Sequence, residues 1–386
     1  MKRPPPPWPE EIGGEDASAL LKNRYLEPGS EVKFRAMDLV LPDWPTFGFA
    51  DDARPALAAA RQQGKPVALV TIVGLGGGGP RPVGSQMVIG EGILSGFLSG
   101  GCLEGDVAGH AQACLADGEP RRLVYGTGSP WPDIRLLCGA RIELLMERIA
   151  PDDLAVAELL AFRDARRPAV WISDGRRRLC AAQEARPAAW EGAFERRFEP
   201  AMRLIVLGAD PTALALAWLG AQAGYETTLA RPKGPETPPP FEVAYLRDEP
   251  GAALQAVGLD AWTAVAVATH EAETDHAALT VALPSPAFYV GALGARRRTA
   301  DRLAWLRAAG LDERTIARLR TPIGLDIGGK APWEVAVSVL AEITAVRYAR
   351  ESGSVSMGSP HAKAGAPGAR RTRAPAVANT ETSDES

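Results

Sequence analysis

The sequence predicts an α/β protein in which an N-terminal mixed α/β domain precedes a C-terminal doubly wound parallel sheet. Two observations predict this class. From residue 202 onward, apolar strands alternate regularly with helical segments, as in a parallel sheet covered on both faces. Upstream, an apolar run over 66–73 leads into a loop of unusual glycine density, 74–84, and then into short β-like runs. The 386 residues suffice for two or three domains.

The elements of the first predicted domain follow from local pattern. They are a helix over 53–63, strands over 66–73, 86–89 and 92–99, a helix over 103–117, and strands over 121–125 and 140–147. In the second domain, strands are expected at 202–207, 225–230, 263–268 and 287–291, with helices at 211–223, 251–257, 274–282, 294–309, 312–320 and 332–349.

Five segments result from these patterns. They are an N-terminal proline-rich extension (1–50), the first domain (51–150), a connector with a helix and a β-pair (151–200), the second domain (201–350) and a tail (351–386). Both termini contain too few large apolar side chains to offset the cost of ordering, so we expect disorder there.

Composition and charge limit the classes of partner and the cellular compartment that we expect. The 43 basic and 47 acidic residues give a formal net charge of −4, and without a clustered basic patch this argues against a nucleic-acid partner. Four scattered cysteines suit a reducing compartment. The N-terminus lacks the apolar core of a secretory signal, and no apolar stretch reaches the roughly 18 residues of a membrane span. We therefore expect a cytoplasmic protein.

The glycine-rich loop 74–84 is the first candidate site. Its backbone N–H groups can turn inward around an anion, and Arg81 adds a forked, charged donor suited to phosphate. The alternative is a plain hairpin connection. The sequence leaves both interpretations open.

Cys102 is the second candidate. It follows Gly100 and Gly101 and is expected at the start of the next helix, where free N–H groups stabilise a thiolate that serves as a nucleophile or soft-metal ligand. Cys114 falls on the apolar face of the same helix and is expected in the core. Cys138 also precedes a strand beside a glycine.

The first turn of the second domain occupies the position of a dinucleotide phosphate loop, which makes this sheet Rossmann-like. Its sequence is Gly-Ala-Asp over 208–210, and Asp210 is expected to cap the following helix, taking N–H groups that a pyrophosphate needs. A carboxylate about 4 Å from a phosphate costs on the order of 4 kcal/mol at an effective dielectric near 20. NAD(P) binding is therefore doubtful.

His270 follows the apolar strand 263–268, at the edge where such sheets bind ligands. We favour a helix cap by Thr274 or Asp275 over a metal site here, because no further ligand is suitably spaced. Further on, Gly324, Asp326 and Gly328 are expected to form a tight loop. Whether Asp326 contacts a ligand or caps that loop stays open.

Several motifs occur together in one order. They are Gly-Pro-Arg-Pro-Val-Gly at 79–84, Ser-Gly-Gly-Cys-Leu-Glu at 99–104, Cys-Gly at 138–139, Thr-His at 269–270, Gly-Ala-Leu-Gly-Ala-Arg-Arg at 291–297 and Pro-Ile-Gly-Leu-Asp-Ile-Gly at 322–328. In this respect the sequence resembles the XdhC/CoxI family, accessory proteins of molybdenum hydroxylases.

The resemblance implies a chaperone without turnover of its own. Such a protein binds the molybdenum cofactor, as molybdopterin or its dinucleotide form, protects it during sulfuration, and delivers it to a xanthine dehydrogenase, aldehyde oxidoreductase or CO dehydrogenase-type apoenzyme. A cysteine desulfurase is a second implied partner, and a homodimer is left open. The alternative is an NAD(P)-dependent oxidoreductase that uses the second domain.

The expected cofactor-binding set combines the residues above with those that the resemblance adds. No catalytic or metal-ligating residue is expected. The set is Gly79, Arg81, Gly84, Gly100, Gly101, Cys102, Glu104, Cys138, His270, Gly294, Arg296 and Asp326.

Overall fold

A computed structural model describes residues 41–129, 136 and 139–351. Of the two predicted tails, residues 1–40 and 352–386 lie outside the described residues, as does Cys138, whereas 41–50 are described and include a short 3-10 helix, Thr46–Phe49. The chain divides into two compact units between Pro200 and Ala201, and each is described by itself.

The first unit is built on a five-stranded antiparallel sheet with the order β3-β2-β1-β5-β4. The strands are β1 (Val67–Gly76), β2 (Gln86–Gly90), β3 (Ile93–Ser95), β4 (Arg121–Gly126) and β5 (Arg141–Ile149). Strand β1 lies in the middle and is buried over its first six residues, which explains why the sequence shows an unbroken apolar run there.

Helices and a second, smaller sheet cover the two faces of this sheet. The helices are α1 (Arg54–Gln62), α2 (Glu104–Asp117) and α3 (Leu154–Asp164), and the small sheet contains β6 (Ala169–Ser173), β7 (Arg178–Ala182) and β8 (Phe194–Phe198) in the antiparallel order β7-β6-β8. The segment predicted as a connector therefore packs within the first unit. Strand β8 has three consecutive charged residues between two phenylalanines, and Phe198 joins Trp171 in a buried cluster with α1 and α3.

The second unit is a six-stranded parallel sheet with the order β11-β10-β9-β12-β13-β14. The strands are β9 (Arg203–Gly208), β10 (Glu226–Ala230), β11 (Ala244–Leu246), β12 (Thr263–Ala268), β13 (Tyr289–Ala292) and β14 (Leu319–Arg320). The helices are α4 (Pro211–Gln222), α5 (Pro250–Val257), α6 (Ala272–Ala282), α7 (Thr299–Ala308), α8 (Glu313–Ile316) and α9 (Pro332–Glu351). Separate apolar clusters fill the two faces.

The predicted α/β class, with a Rossmann-like parallel sheet, is confirmed. Two predicted elements are wrong. The strand expected over 92–99 is only β3, Ile93–Ser95, and 312–320 is not a single helix but the short α8 followed by β14. Leu319 is buried and pairs with Val290 of β13, so tertiary pairing overrides the local helical preference. The edge strand β11 was missed because it follows the proline-rich run 231–240.

Among the helices of the described residues, none combines the length and the apolar composition that crossing a bilayer requires.

Two glycines of the first unit form a matched pair for a stability test. Gly96 and Gly118 have similar left-handed φ angles, +81° and +78°. A Cβ on Gly96 would lie 2.2 Å from the Gln86 carbonyl oxygen, whereas a Cβ on Gly118 would meet nothing within 4 Å. The first position thus adds a steric clash to the backbone strain that both share.

We expect Gly118→Ala to lower the free energy of unfolding by about 1 kcal/mol, the cost of left-handed backbone. Gly96→Ala should cost about 3 kcal/mol or more, because the Gln86 backbone must also move. Urea denaturation followed by circular dichroism measures both. Equal losses in the two variants would contradict the packing described around Gly96.

Candidate functional site

The glycine-rich loop connects two antiparallel strands, β1 and β2. At its base the Ile72 N–H donates to the Ser85 carbonyl (2.9 Å) and the Gly84 N–H donates to the Ile72 carbonyl (2.8 Å). Gly77 and Gly84 have φ angles of +76° and +92°, which only glycine adopts readily. The loop is therefore a hairpin connection, and anion binding by it stays a prediction.

Arg81 of this loop is held on two sides. Its guanidinium pairs with the Asp51 carboxylate and lies over the Phe97 ring, 4.9 Å from the ring centroid. Its Nε is shielded from solvent and has no hydrogen-bond partner among the described residues. Arg81 is thus oriented by an acid and an aromatic ring while one donor remains unsatisfied.

The carboxylate of Glu104 organises the segment before α2. Its Oε1 accepts from the N–H groups of Leu98 (3.0 Å) and Ser99 (2.8 Å), and its Oε2 accepts from the Ser99 hydroxyl (2.8 Å), the Gly101 N–H (2.9 Å) and the Leu103 N–H (3.2 Å). The side chain is buried. Burial opposes its ionisation, but the donors from Ser99 and Leu98 outweigh burial, so the pKa of Glu104 is lowered.

Cys102 lies on this organised segment and is exposed. Helix α2 begins at Glu104, one residue later than the predicted start at 103, so Cys102 lies two residues before the helix. The N–H groups of Gly101 and Leu103, which flank Cys102, donate to Glu104. The loop backbone therefore supports the carboxylate, and the thiol is presented to solvent.

Phe97 connects the two predicted motifs of the first unit. The face of its ring contacts the Arg81 guanidinium. The edge of the ring lies 4.0 Å from the position that a Cβ on Gly100 would take. Gly100 and Gly101 have φ angles of +93° and +111°. The structure thus brings Arg81 and the Gly100–Cys102 segment to one aromatic side chain, which sequence reasoning missed because a lone Phe in a short apolar run has no distinguishing pattern.

The remaining cysteines differ from Cys102. Cys114 is fully buried in the core, as predicted, and burial raises the pKa of its thiol. Cys180 is buried as well, and burial raises its pKa to about 12. Cys138 lies outside the described residues, while Gly139 lies beside the glycine-rich loop, with its carbonyl oxygen 3.8 Å from where a Cβ on Gly77 would be.

In the second unit, the side chains of Asp210 and His270 occupy the position where a phosphate loop would bind its ligand. Asp210 caps α4, as predicted: its Oδ1 accepts from the Ala213 N–H at 2.8 Å. Its Oδ2 lies 3.0 Å from Nε2 of His270, which follows β12. Gly208 also packs tightly, because a Cβ there would lie 2.5 Å from the Ala268 carbonyl oxygen. His270 therefore has a protein partner at this edge of the sheet.

The predicted cap of α6 by Thr274 or Asp275 is wrong. The N-cap is Glu271, without a side-chain hydrogen bond, and Asp275 is buried in an ion pair with Arg302 at 2.7 Å. Burial raises the pKa of Asp275, while Thr269 and Arg302 oppose that shift. Asp275 is buried because α6 packs against the sheet at this position.

Three further predicted residues lie after the strands β13 and β14. Gly294 (φ +153°) lies against the buried guanidinium of Arg302, whose Nη1 is 3.3 Å from the position of a Cβ on the glycine. The backbone of Arg296 opens a 3-10 turn, Arg296–Arg298. Asp326 is exposed in the loop before α9.

Glu342 holds the loop that contains Asp326. Its Oε2 accepts from the Tyr289 hydroxyl at 2.5 Å and from the Gly324 N–H at 2.8 Å. Gly324 and Gly328 have φ angles of +92° and +85°, consistent with the tight loop expected there.

Among residues 41–129, 136 and 139–351, no group of three or more His, Cys, Asp or Glu side chains is arranged to hold a metal ion.

These features define a class: a two-unit α/β protein with an ordered, cysteine-bearing loop in one unit and a Rossmann-like sheet in the other. Two family models match the chain, "XdhC and CoxI family" over residues 60–126 and "XdhC Rossmann domain" over residues 204–343.

Curated relatives give the same assignment. The chain is 33% identical over 312 residues to the Molybdenum cofactor insertion chaperone PaoD of Escherichia coli, covering 79% of this chain and 92% of that protein. It is 30% identical over 165 residues to a probable xanthine dehydrogenase subunit of Bacillus subtilis, covering 40% of this chain and 46% of that protein. The chain belongs to the XdhC/CoxI family.

A solved structure, a xanthine dehydrogenase from Bacillus halodurans, has the same fold. It is 23% identical, with a TM-score of 0.65, and the match covers 79% of this chain and 98% of that one.

The role of Glu104 can be tested by its amide form. We expect Glu104→Gln to increase hydrogen exchange of the amides in 98–103 and to lower the free energy of unfolding by about 2 kcal/mol at pH 7, because a neutral amide is the weaker acceptor. The lowered pKa means that the ionised carboxylate stabilises the fold above its unfolded value of about 4.3. That advantage should disappear as the pH falls through the folded-state pKa below this value.

Glu91→Gln is the matched control, because the Glu91 carboxylate is exposed and only pairs with Lys65 at 3.5 Å. Exchange of 98–103 should not change in it. If Glu104→Gln left exchange at those amides unaltered, the organising role of the carboxylate would be refuted.

Proposed function

We propose that this protein is a molybdenum cofactor insertion chaperone. It binds the cofactor as molybdopterin or its dinucleotide form, protects it while the terminal sulfur ligand is installed, and delivers it to a xanthine dehydrogenase, aldehyde oxidoreductase or CO dehydrogenase-type apoenzyme. The observation that carries the proposal is the similarity to the cofactor insertion chaperone PaoD along 92% of that relative.

The side chains of the first unit fit such a cargo chemically. The cofactor carries a phosphate, and the guanidinium of Arg81 is a forked donor for a phosphate oxygen. The cofactor also carries molybdenum, for which the sulfur of Cys102 would be a suitable ligand. Phe97 connects the two, since it contacts Arg81 and lies beside Gly100.

Glu104 adds a physical reason why this site suits transfer rather than permanent binding. Its five accepted hydrogen bonds order the loop before any ligand arrives, which lowers the entropic cost of binding. Because Cys102 is exposed on that ordered loop, it offers one contact at the surface instead of a closed cage. A carrier that must release its cargo to an apoenzyme needs this balance.

The same proposal includes partners and setting. A cysteine desulfurase supplies the sulfur while the cofactor is bound, and the chain works in the cytoplasm without catalytic turnover of its own. A homodimer is one arrangement in which two such carriers could act together.

The alternative is an NAD(P)-dependent oxidoreductase, which the parallel sheet of the second unit favours. Asp210 disfavours this alternative. Its carboxylate accepts from the Ala213 N–H and pairs with His270 at the position where a pyrophosphate would need free donors. A phosphate there would face a negative charge.

We expect calorimetry to detect no NAD(P)H binding by the wild-type chain. Asp210→Gly removes the repelling carboxylate and should at most permit weak, millimolar binding. Micromolar binding by the wild-type protein would support the oxidoreductase alternative.

The thiol of Cys102 should determine cofactor retention. When the protein is produced in cells that make the molybdenum cofactor, we expect wild-type chain to purify with bound pterin, measured by its fluorescence after oxidation. Cys102→Ala and Cys102→Ser should retain at least about tenfold less, because neither offers a sulfur ligand.

Cys180→Ala serves as the control, since that thiol is buried in the small-sheet cluster. It should retain pterin at the wild-type level if the fold is intact. Undiminished pterin in both Cys102 variants would remove the cysteine from the proposed site.

A further inference from the structure

Arg196, which sequence reasoning placed in a connector, reaches the glycine-rich loop. It lies in the middle of the edge strand β8, opposite Trp171 of β6. Its guanidinium stacks over the Phe198 ring at 4.2 Å. The Arg196 Cγ is 4.0 Å from the position that a Cβ on Gly84 would take. The absence of a side chain at Gly84 therefore leaves room for this arginine at the hairpin.

The charges around Arg196 do not balance. Arg54 is paired with Asp52 at 2.8 Å, and Arg81 is paired with Asp51. Within the described residues, Arg196 has neither a carboxylate partner nor a hydrogen-bond acceptor, and its Nη1 is shielded from solvent. The cluster thus contains three guanidinium groups and two carboxylates, so it has a net positive charge.

The surroundings of Arg196 disfavour its protonated form, but the side chain stays charged at neutral pH. Burial, together with the positive charges of Arg54 and Arg81, lowers its pKa to about 10, although Asp52 and Asp51 act in the opposite direction. At pH 7 the side chain is still cationic. Shielding a charged donor without an acceptor costs stability, so an anion that supplies the acceptor would recover that cost.

Arg81 contributes a second N–H donor that is shielded from solvent. In the part of the chain that the structure describes, the Nε of Arg81 forms no hydrogen bond. Two such donors from one small cluster, beside a glycine hairpin whose backbone can approach a ligand closely, are suited to a tetrahedral oxyanion with several acceptor oxygens. A carboxylate offers only two oxygens and would compete with the pairs already formed by Asp51 and Asp52.

We infer that Arg196 and Arg81 form a phosphate-binding pair against the Gly84 hairpin, which takes the phosphate or diphosphate group of an organic phosphate. The inference rests on the proposed function for the identity of that ligand, the phosphate-bearing molybdenum cofactor. It assigns to β8 a binding role that no sequence motif indicates. The run Phe-Glu-Arg-Arg-Phe over 194–198 has no alternation that would predict a strand; Arg196 and Phe198 share a face because they are two residues apart in β8.

Calorimetric titration of the full chain with inorganic pyrophosphate tests the pair directly. We expect the wild-type protein to bind pyrophosphate and Arg196→Ala to bind it about tenfold more weakly or worse, as the loss of a charge-assisted bond implies. Arg196→Lys should fall between them, because an ammonium lacks the fork. Inorganic phosphate, pyrophosphate and a nucleoside diphosphate as separate ligands distinguish a bare phosphate site from one that also requires the organic part.

Arg197→Ala is the matched control. Arg197 neighbours Arg196 on the same strand, points to the other face and is exposed. It should bind pyrophosphate like the wild type. Absence of pyrophosphate binding by the wild-type chain, or equal binding by Arg196→Ala, would overturn the inference.

A stability measurement separates binding from a structural role. Since Arg196 is a shielded charge without a partner, Arg196→Met should leave the melting temperature of the ligand-free chain unchanged or raise it, while abolishing the increase that pyrophosphate gives the wild type. A lower melting temperature of Arg196→Met with an unchanged pyrophosphate effect would show a merely structural arginine and overturn the inference.

Pterin content distinguishes this failure from that of the proposed function. Wild-type chain that carries pterin, with equal pterin in Arg196→Ala, would overturn the phosphate pair and leave the chaperone proposal standing. Wild-type chain without pterin would instead refute the chaperone proposal.

Discussion

The buried carboxylate of Glu104 is the interaction on which the candidate site depends. The segment that it organises contains Gly100 and Gly101, both at positive φ, where the backbone of glycine has many accessible conformations. Five donors converge on the two oxygens and fix that backbone against the start of α2. Cys102 can therefore be exposed and still be held in place, which a flexible glycine loop alone would not achieve.

The fold followed from the sequence where apolar pattern and packing agree. The alternation from residue 202 onward predicted the parallel sheet, and β12 was placed within its observed bounds, Thr263–Ala268. The Asp210 cap was also predictable, because aspartate followed by proline is a strong helix-start signal. Where pairing with a distant strand decides the structure, as at β14, local pattern was misleading.

The site was less accessible to sequence reasoning. Arg81 and Cys102 were chosen by residue type, but their connection through Phe97 depends on contacts between loops that are about 15 residues apart in sequence. The position of Arg196 depends on how a small separate sheet packs within the first unit, which no single-strand pattern encodes. His270 was expected to face a ligand, and only the three-dimensional structure pairs it with Asp210.

A chain that carries a molybdenum cofactor for delivery, as proposed, must hand that cofactor to an apoenzyme. Cofactor-loaded protein would be mixed with the apo-form of a molybdenum hydroxylase, and the gain in hydroxylase activity compared with that from an equal amount of free cofactor. We expect a faster and larger gain from the loaded chain, with pterin lost from it in proportion. Equal or slower activation, with pterin still bound to the chain, would rule out a role in delivery.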